Sequence, residues 1–207
     1  MTAKDRLLIS LRIKGFGKPE PISEALASPL EACLGLIADL KAAGLAEDTK
    51  VGVRLTPSGR EAADALRQAE RAAADPAEIE AAGERFTPVN SAFKQLITRW
   101  QMREIDGKPA RNDHSDAAYD QAVLEGFNAV HADVESVIEI VARGVPRFSD
   151  YHRRLSAALA RICAGELRYV AAPDAESYHT VWFELHQDLI GLLGTTRAKE
   201  AAAGRAV

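Results

Sequence analysis

A chain of 207 residues with 47% apolar and 27% charged side chains is long enough to bury a sizeable core and has an ordinary soluble composition. A formal charge of −4 excludes the global basic footprint common among nucleic-acid binders, and no stretch approaches the ~18 consecutive apolar residues of a membrane span. Two cysteines, Cys33 and Cys163, exclude a disulfide scaffold and read as reduced, mostly buried thiols; with no signal-peptide hydrophobic run at the start, the expected location is cytoplasmic and away from membranes.

Lys4 to Lys14 predicts a first helix with Leu7, Leu8 and Leu11 inward, ended by the Gly15–Pro19 stretch. Ile22 and Leu26, four apart, place a short second helix, and Ser28-Pro29 is a turn that also starts the next one. From Leu30 to Ala43 the residues Leu30, Cys33, Leu34, Ile37 and Leu40 recur at helical spacing, and Gly44 stops them. Leu45-Ala46 and the alternating Val51, Val53, Leu55 are strand candidates around the polar tip Glu47–Lys50, after which Thr56-Pro57 opens another helix.

This order of elements is that of a winged helix-turn-helix. It resembles the MarR-like branch, whose chains commonly carry a Gly-Leu pair after the recognition helix and LTPxGR after the wing. Here these are Gly44-Leu45 and Leu55-Thr56-Pro57-Ser58-Gly59-Arg60, and the resemblance covers about the first third of the chain. It implies a transcriptional regulator that binds double-stranded DNA. Residues 1–60 hold nine Lys/Arg against seven Asp/Glu, a weakly basic head on an acidic body. The helix that should enter the groove departs from the pattern. Two positions often arginine in the family are Gly35 and Asp39, and the rest of the outward face is Glu31, Ala32, Ala38 and Ala42. Arginine forks read guanine, whereas carboxylates beside phosphates oppose binding. Arg12, Lys14, Lys18, Lys50, Arg54 and Arg60 remain as candidate phosphate contacts. Two readings therefore stand: a regulator with a non-basic recognition helix, or a regulatory or scaffolding protein that docks another protein through the same fold.

An alanine-rich, charged helix follows Pro57, and a boundary is expected between Asp75 and Phe86, giving a winged-helix domain over 1–78 and an α-helical domain over 79–207. Thr87-Pro88 starts a helix bearing Val89, Phe93, Leu96, Ile97 and Trp100, and a polar loop runs from Asp106 to Asp116. From Asp116 to Arg143, Val123, Phe127, Val130, Val134, Val137 and Val141 form a heptad-like seam. Another helix carries Tyr151, Leu155, Leu159 and Ile162. The last, from Asp174 to Thr196, is apolar around Tyr178, Trp182, Leu185 and Leu189 over an arc that needs two neighbours or a partner subunit, and a frayed tail is expected after Arg197. With no helix to spare in the head, a homodimer through the C-terminal half is expected. The segments WQMR, NDHSDAAYD, PRF and YHTVWFELH resemble helical segments accompanying pyruvate phosphate dikinase-like proteins, which implies an accessory piece with such an enzyme as a possible partner.

No catalytic residue, cofactor or metal is expected. His179 and His186 are two turns apart, and neither HExxH nor CxxC is present. Asn112–Asp116 has the residue types of a catalytic triad, but neighbours in sequence do not converge as a triad must, and capping by Ser115 or Asp113 is the better reading. Trp100, Tyr178, His179, Trp182, Phe183 and His186 are candidates for a ligand pocket or interface, with core packing as the plainer alternative.

Overall fold

The structure, a computed structural model, describes residues 1–105 and 107–195; Thr196 and the expected tail lie outside the described residues. It is mainly helical with a small antiparallel sheet. Helix α1 (Ala3–Lys14) starts at a reciprocal cap in which the Thr2 hydroxyl accepts from the Asp5 amide and the Asp5 carboxylate from the Thr2 amide. Helices α2 (Pro19–Leu26) and α3 (Leu30–Ala42) follow, and the strands β1 (Phe16–Gly17), β2 (Ala46–Thr49) and β3 (Gly52–Leu55) form a sheet in the order β1-β3-β2. The Gly15–Pro19 stretch thus adds a third strand, with Phe16 opposite Arg54. Leu7, Leu8, Leu11, Ile22, Cys33, Ile37, Leu40, Val53 and Leu55 make one apolar cluster.

Helix α4 (Pro57–Ala73) gives the Leu-Thr-Pro-Ser-Gly run a physical meaning. The Thr56 hydroxyl accepts from the Gly59 amide, 3.1 Å, and donates to the Gly44 carbonyl, 2.7 Å, tying the end of α3 to the start of α4. Gly59 then sits so close to the Leu45 carbonyl that a Cβ at that position would overlap it.

Helix α5 (Pro76–Gln101) begins at Asp75, whose carboxylate accepts from the Ala77 amide, and runs unbroken through Gly83 and Pro88. The expected break and restart at Thr87-Pro88 is therefore wrong. Pro88 lies on the exposed face, where water can take the carbonyl its missing N–H would have bonded, and the Thr87 hydroxyl donates to the Gly83 carbonyl. The polar loop is in part a hairpin, β4 (Met102–Ile105) against β5 (Lys108–Arg111), leading into α6 (Ala117–Gly144). Helices α5 and α6 are antiparallel, since Leu96 meets Gly126 and Ala74 meets Gly144. A 3-10 turn (Pro146–Phe148), α7 (Ser149–Cys163), the short α8 (Arg168–Ala171) and α9 (Tyr178–Leu193) complete the second lobe. Cys33 is buried, as expected, whereas Cys163 is exposed at the end of α7, against the expectation of a buried thiol.

At the centre of this lobe Trp182 stacks on Phe93, centroids 4.1 Å apart, and its indole N–H donates to the Asn90 amide oxygen, 2.9 Å. The valine seam of α6 and the wide apolar arc of α9 both face inward: Val123, Val134, Val137, Trp182 and Leu189 are at most 1% exposed. Helix α9 is covered by α4, α5, α7 and α8 of its own chain. The surface from which pairing was inferred is buried within one chain. Among the described residues, no single helix is long and apolar enough to cross a membrane.

The close approach at Gly59 predicts that Gly59→Ala costs on the order of 1–3 kcal/mol through overpacking against a backbone atom. Gly35, on the open side of α3 with nothing near its missing Cβ, should accept Ala with a gain of up to about 1 kcal/mol. Equilibrium denaturation of the two variants checks both signs.

Candidate functional site

The exposed side of α3 is an open face of the N-terminal lobe. At 100° per residue, Cys33, Ile37 and Leu40 fall within one narrow sector and are buried. Leu34 lies about 100° from Cys33, outside that sector, and Leu30 sits at the start of the helix. Both share the helical spacing of the core residues, yet they are 39% and 46% exposed, Leu30 and Leu34 respectively. Around them Glu31, Ala32, Gly35, Ala38, Asp39 and Ala42 are exposed, as expected. The one cation of α3, Lys41, is drawn to Asp48 of β2 at 2.6 Å. The face is apolar and acidic.

The residues expected to hold phosphates are dispersed or engaged. The Arg54 guanidinium pairs with Glu47 across the hairpin at 2.7 Å, and Arg12 pairs with Asp64 of α4 at 2.9 Å. Arg60 donates to the Leu55 carbonyl, 3.1 Å. Lys18 and Lys50 are exposed. Lys14 is not a surface group at all: its ammonium is buried and lies 2.6 Å from both Glu176 and Glu184. The sequence placed it on a helix end facing out; the second lobe covers that end.

Lys14 opens a charged seam between the lobes that the sequence reading missed. Arg154 of α7 donates through Nε to Glu176 and through Nη2 to Glu184, each at 2.8 Å, so two cations and two carboxylates are buried together. Beside them Arg147 pairs with both Glu70 of α4 and Asp188 of α9, and Asp188 also accepts from the Tyr151 hydroxyl at 2.9 Å. Arg6 with Asp150, 2.6 Å, and Arg153 with the Ala25 carbonyl, 2.6 Å, continue the seam outward. Burial opposes the charge on Arg147 and Arg154, but their carboxylate partners hold both ionised, above the usual guanidinium range. Burial alone would raise the Glu176 carboxyl; Arg154 and Lys14 outweigh it and hold it below the usual carboxylate range. One signal was legible: Glu184 and Asp188, one turn apart, lie in the narrow polar strip of an otherwise apolar helix.

The six candidate pocket residues are not brought to one cavity. Tyr178 and Trp182 are fully buried in the aromatic core, and the His186 ring lies tilted against Phe86, centroids 5.1 Å apart. His179 lies 5.9 Å from Phe93, and burial lowers its pKa. Phe183 is half-buried on the same helix, and Trp100 lies at the far end, 4.3 Å from the His114 ring. In the loop before α6, Asp116 and not Asp113 or Ser115 caps the helix, accepting from the Tyr119 amide, because the cap must immediately precede Ala117. Asn112 spends both amide hydrogens, on the Trp100 carbonyl and on Asp120, so the His114 Nδ1, 3.0 Å from Asp120, donates to that carboxylate. His114 thus pairs with a residue six positions on. It borders an open cleft of about 750 Å³ whose other lining residues include no serine, threonine or cysteine.

The buried seam has a pH dependence whose sign follows from Glu176. Its carboxyl titrates lower when folded, so its contribution is full above the ordinary value of 4.5 and is lost as pH falls through the folded value. Stability measured by denaturant titration should therefore drop on acidification below about pH 4.5. Glu176→Gln should cost about 3–5 kcal/mol at neutral pH, the scale for removing one partner of a buried pair, and should flatten this acid limb.

Comparison with protein-family models, with curated proteins and with solved structures finds no match to this chain.

Proposed function

We propose that this chain is a regulatory or scaffolding protein without catalytic machinery of its own, whose N-terminal lobe is a winged helix-turn-helix used to dock another protein. The support for the winged-helix reading is the order of elements: three helices, a two-stranded hairpin with a third short strand, and the Thr56 cap that joins α3 to α4. The observation that carries the choice of protein over DNA is the outward face of α3. It offers Leu30 and Leu34 with Glu31 and Asp39, and no arginine or free lysine.

Electrostatics supports a protein partner. A duplex presents a dense line of phosphates, and affinity comes mainly from cations that displace its counterions. Here Arg54, Arg12 and Lys41 are neutralised by carboxylates within the same lobe, and Lys14 is buried. A protein surface with an apolar strip and a basic rim fits the same face without that conflict. Such a partner could be an enzyme of the dikinase type, as the second resemblance suggests. A homodimer is compatible with this reading, though the valine seam and the Trp182 arc give it no support.

A photo-crosslinking residue in place of Leu34 is expected to trap a discrete protein in cells, while the same residue in place of Gln68 on α4 does not. Leu30→Asp should abolish the adduct. The duplex alternative makes the opposite forecast: retardation of genomic fragments at low salt, weakened by Arg54→Glu. That result, without a protein adduct at position 34, would overturn the docking reading.

A further inference from the structure

On the far side of α7 from the lobe seam, three potential metal ligands converge from two helices. His131 and Glu135 are one turn apart on α6, and His152 and Ser156 are one turn apart on α7, so i, i+4 pairs face each other across the helix–helix contact. His152 Nε2 lies 2.7 Å from Glu135 Oε1, and His131 Nε2 lies 3.6 Å from the same oxygen and 3.2 Å from Ser156 Oγ. One ligand atom from each of His131, Glu135 and His152 falls within 4.8 Å of the others.

A tetrahedral ion with bonds of about 2.0–2.1 Å needs ligand atoms about 3.3 Å apart. The two Glu135 separations, 2.7 and 3.6 Å, bracket that edge, and all three ligand atoms already lie within 4.8 Å of one another. The second nitrogen of His131 is also fixed: Nδ1 is 3.1 Å from the Tyr178 hydroxyl, a fully buried group on α9. With Nδ1–H donating to that oxygen, the lone pair sits on Nε2, where it accepts from the Ser156 hydroxyl at 3.2 Å until an ion takes that place. This is the orienting contact that metal-bound imidazoles use. Exposure is graded across the set, with side chains 13% exposed at His131, 39% at Glu135 and 51% at His152, so the site opens to solvent at its outer edge.

We propose that His131, Glu135 and His152 form a three-ligand site for a divalent transition-metal ion of the zinc class, its fourth position open to water or an exchangeable ligand. Two imidazoles and one carboxylate favour zinc, cobalt or nickel over calcium or magnesium, which prefer all-oxygen shells. Binding displaces the Glu135–His152 hydrogen bond and the Ser156 contact of His131, and it joins α6 to α7 by coordinate bonds. Helix α7 also carries Asp150 and Arg153, which bind Arg6 and the Ala25 carbonyl of the N-terminal lobe. Occupancy would therefore stiffen the helix to which that lobe is moored. This inference does not depend on what the α3 face binds.

The test uses the full chain free of any affinity tag. Titration with Co²⁺ should give one equivalent bound with the intense visible absorption of a four-coordinate ion, and Zn²⁺ should displace it and raise the melting temperature. His152→Ala, an exposed position that leaves the core intact, and Glu135→Gln should each weaken binding by at least tenfold and remove the thermal shift. Tyr178→Phe keeps the ring and removes only the orienting hydroxyl; it should weaken Co²⁺ binding by about 10–100-fold. Binding that survives both His152→Ala and Glu135→Gln, a pale six-coordinate spectrum, or no stoichiometric binding at all would overturn the assignment.

Discussion

The two apolar clusters of this protein do not merge; they meet across buried charge. Lys14, Arg154, Glu176 and Glu184 form a neutral set with every charge opposed, and Arg147 bridges Glu70 and Asp188 next to it. Such a contact differs in kind from an apolar one. Taking these groups out of water is expensive, and their mutual attraction repays it only with this geometry. An apolar interface tolerates sliding, whereas this one holds a single relative placement of the lobes. The position of the α3 face relative to the helical lobe rests on it.

Helix α9 is where the two demands coincide. One face supplies Trp182, Leu185 and Leu189 to the aromatic and aliphatic core, and the opposite strip supplies Glu184 and Asp188 to the seam. Its wide apolar arc, which calls for two neighbours or a partner subunit, is satisfied by helices from both lobes of the same chain. Long-range packing, not composition, decides between those outcomes. A stripe of valines at a–d spacing has the same sequence signature whether it faces an adjacent helix or another molecule.

The α3 face and the proposed metal site illustrate two ways of reading function from chemistry. Around α3, Arg54, Arg12 and Lys41 are neutralised by local carboxylates and Lys14 is buried, which leaves Lys18 and Lys50 as dispersed exposed cations. At His131, Glu135 and His152, ordinary helix periodicity on α6 and α7 brings nitrogen and oxygen donors together. Neither feature resides in a motif of adjacent residues.

Much of the local architecture was written in the sequence. Helix periods, the Gly15 and Gly44 stops, the Thr56-Pro57 start and the alternation of Val53 and Leu55 are short-range effects, and they placed most elements within a few residues. The acidic, arginine-free character of α3 was also legible, because a surface face needs no partner to define it. What the residues could not show is anything set by segments far apart in the chain. The Met102–Arg111 hairpin was hidden in polar composition, and Pro88 looked like a helix start because a solvated carbonyl leaves no trace in the sequence. Lys14 looked like a phosphate contact until Glu176 and Glu184, over 160 positions away, closed on it. His131 and His152, 21 positions apart, likewise come together only when α6 packs on α7. A side chain's period along its own helix is fixed by backbone geometry, but its partner across a contact is fixed only when the tertiary structure forms.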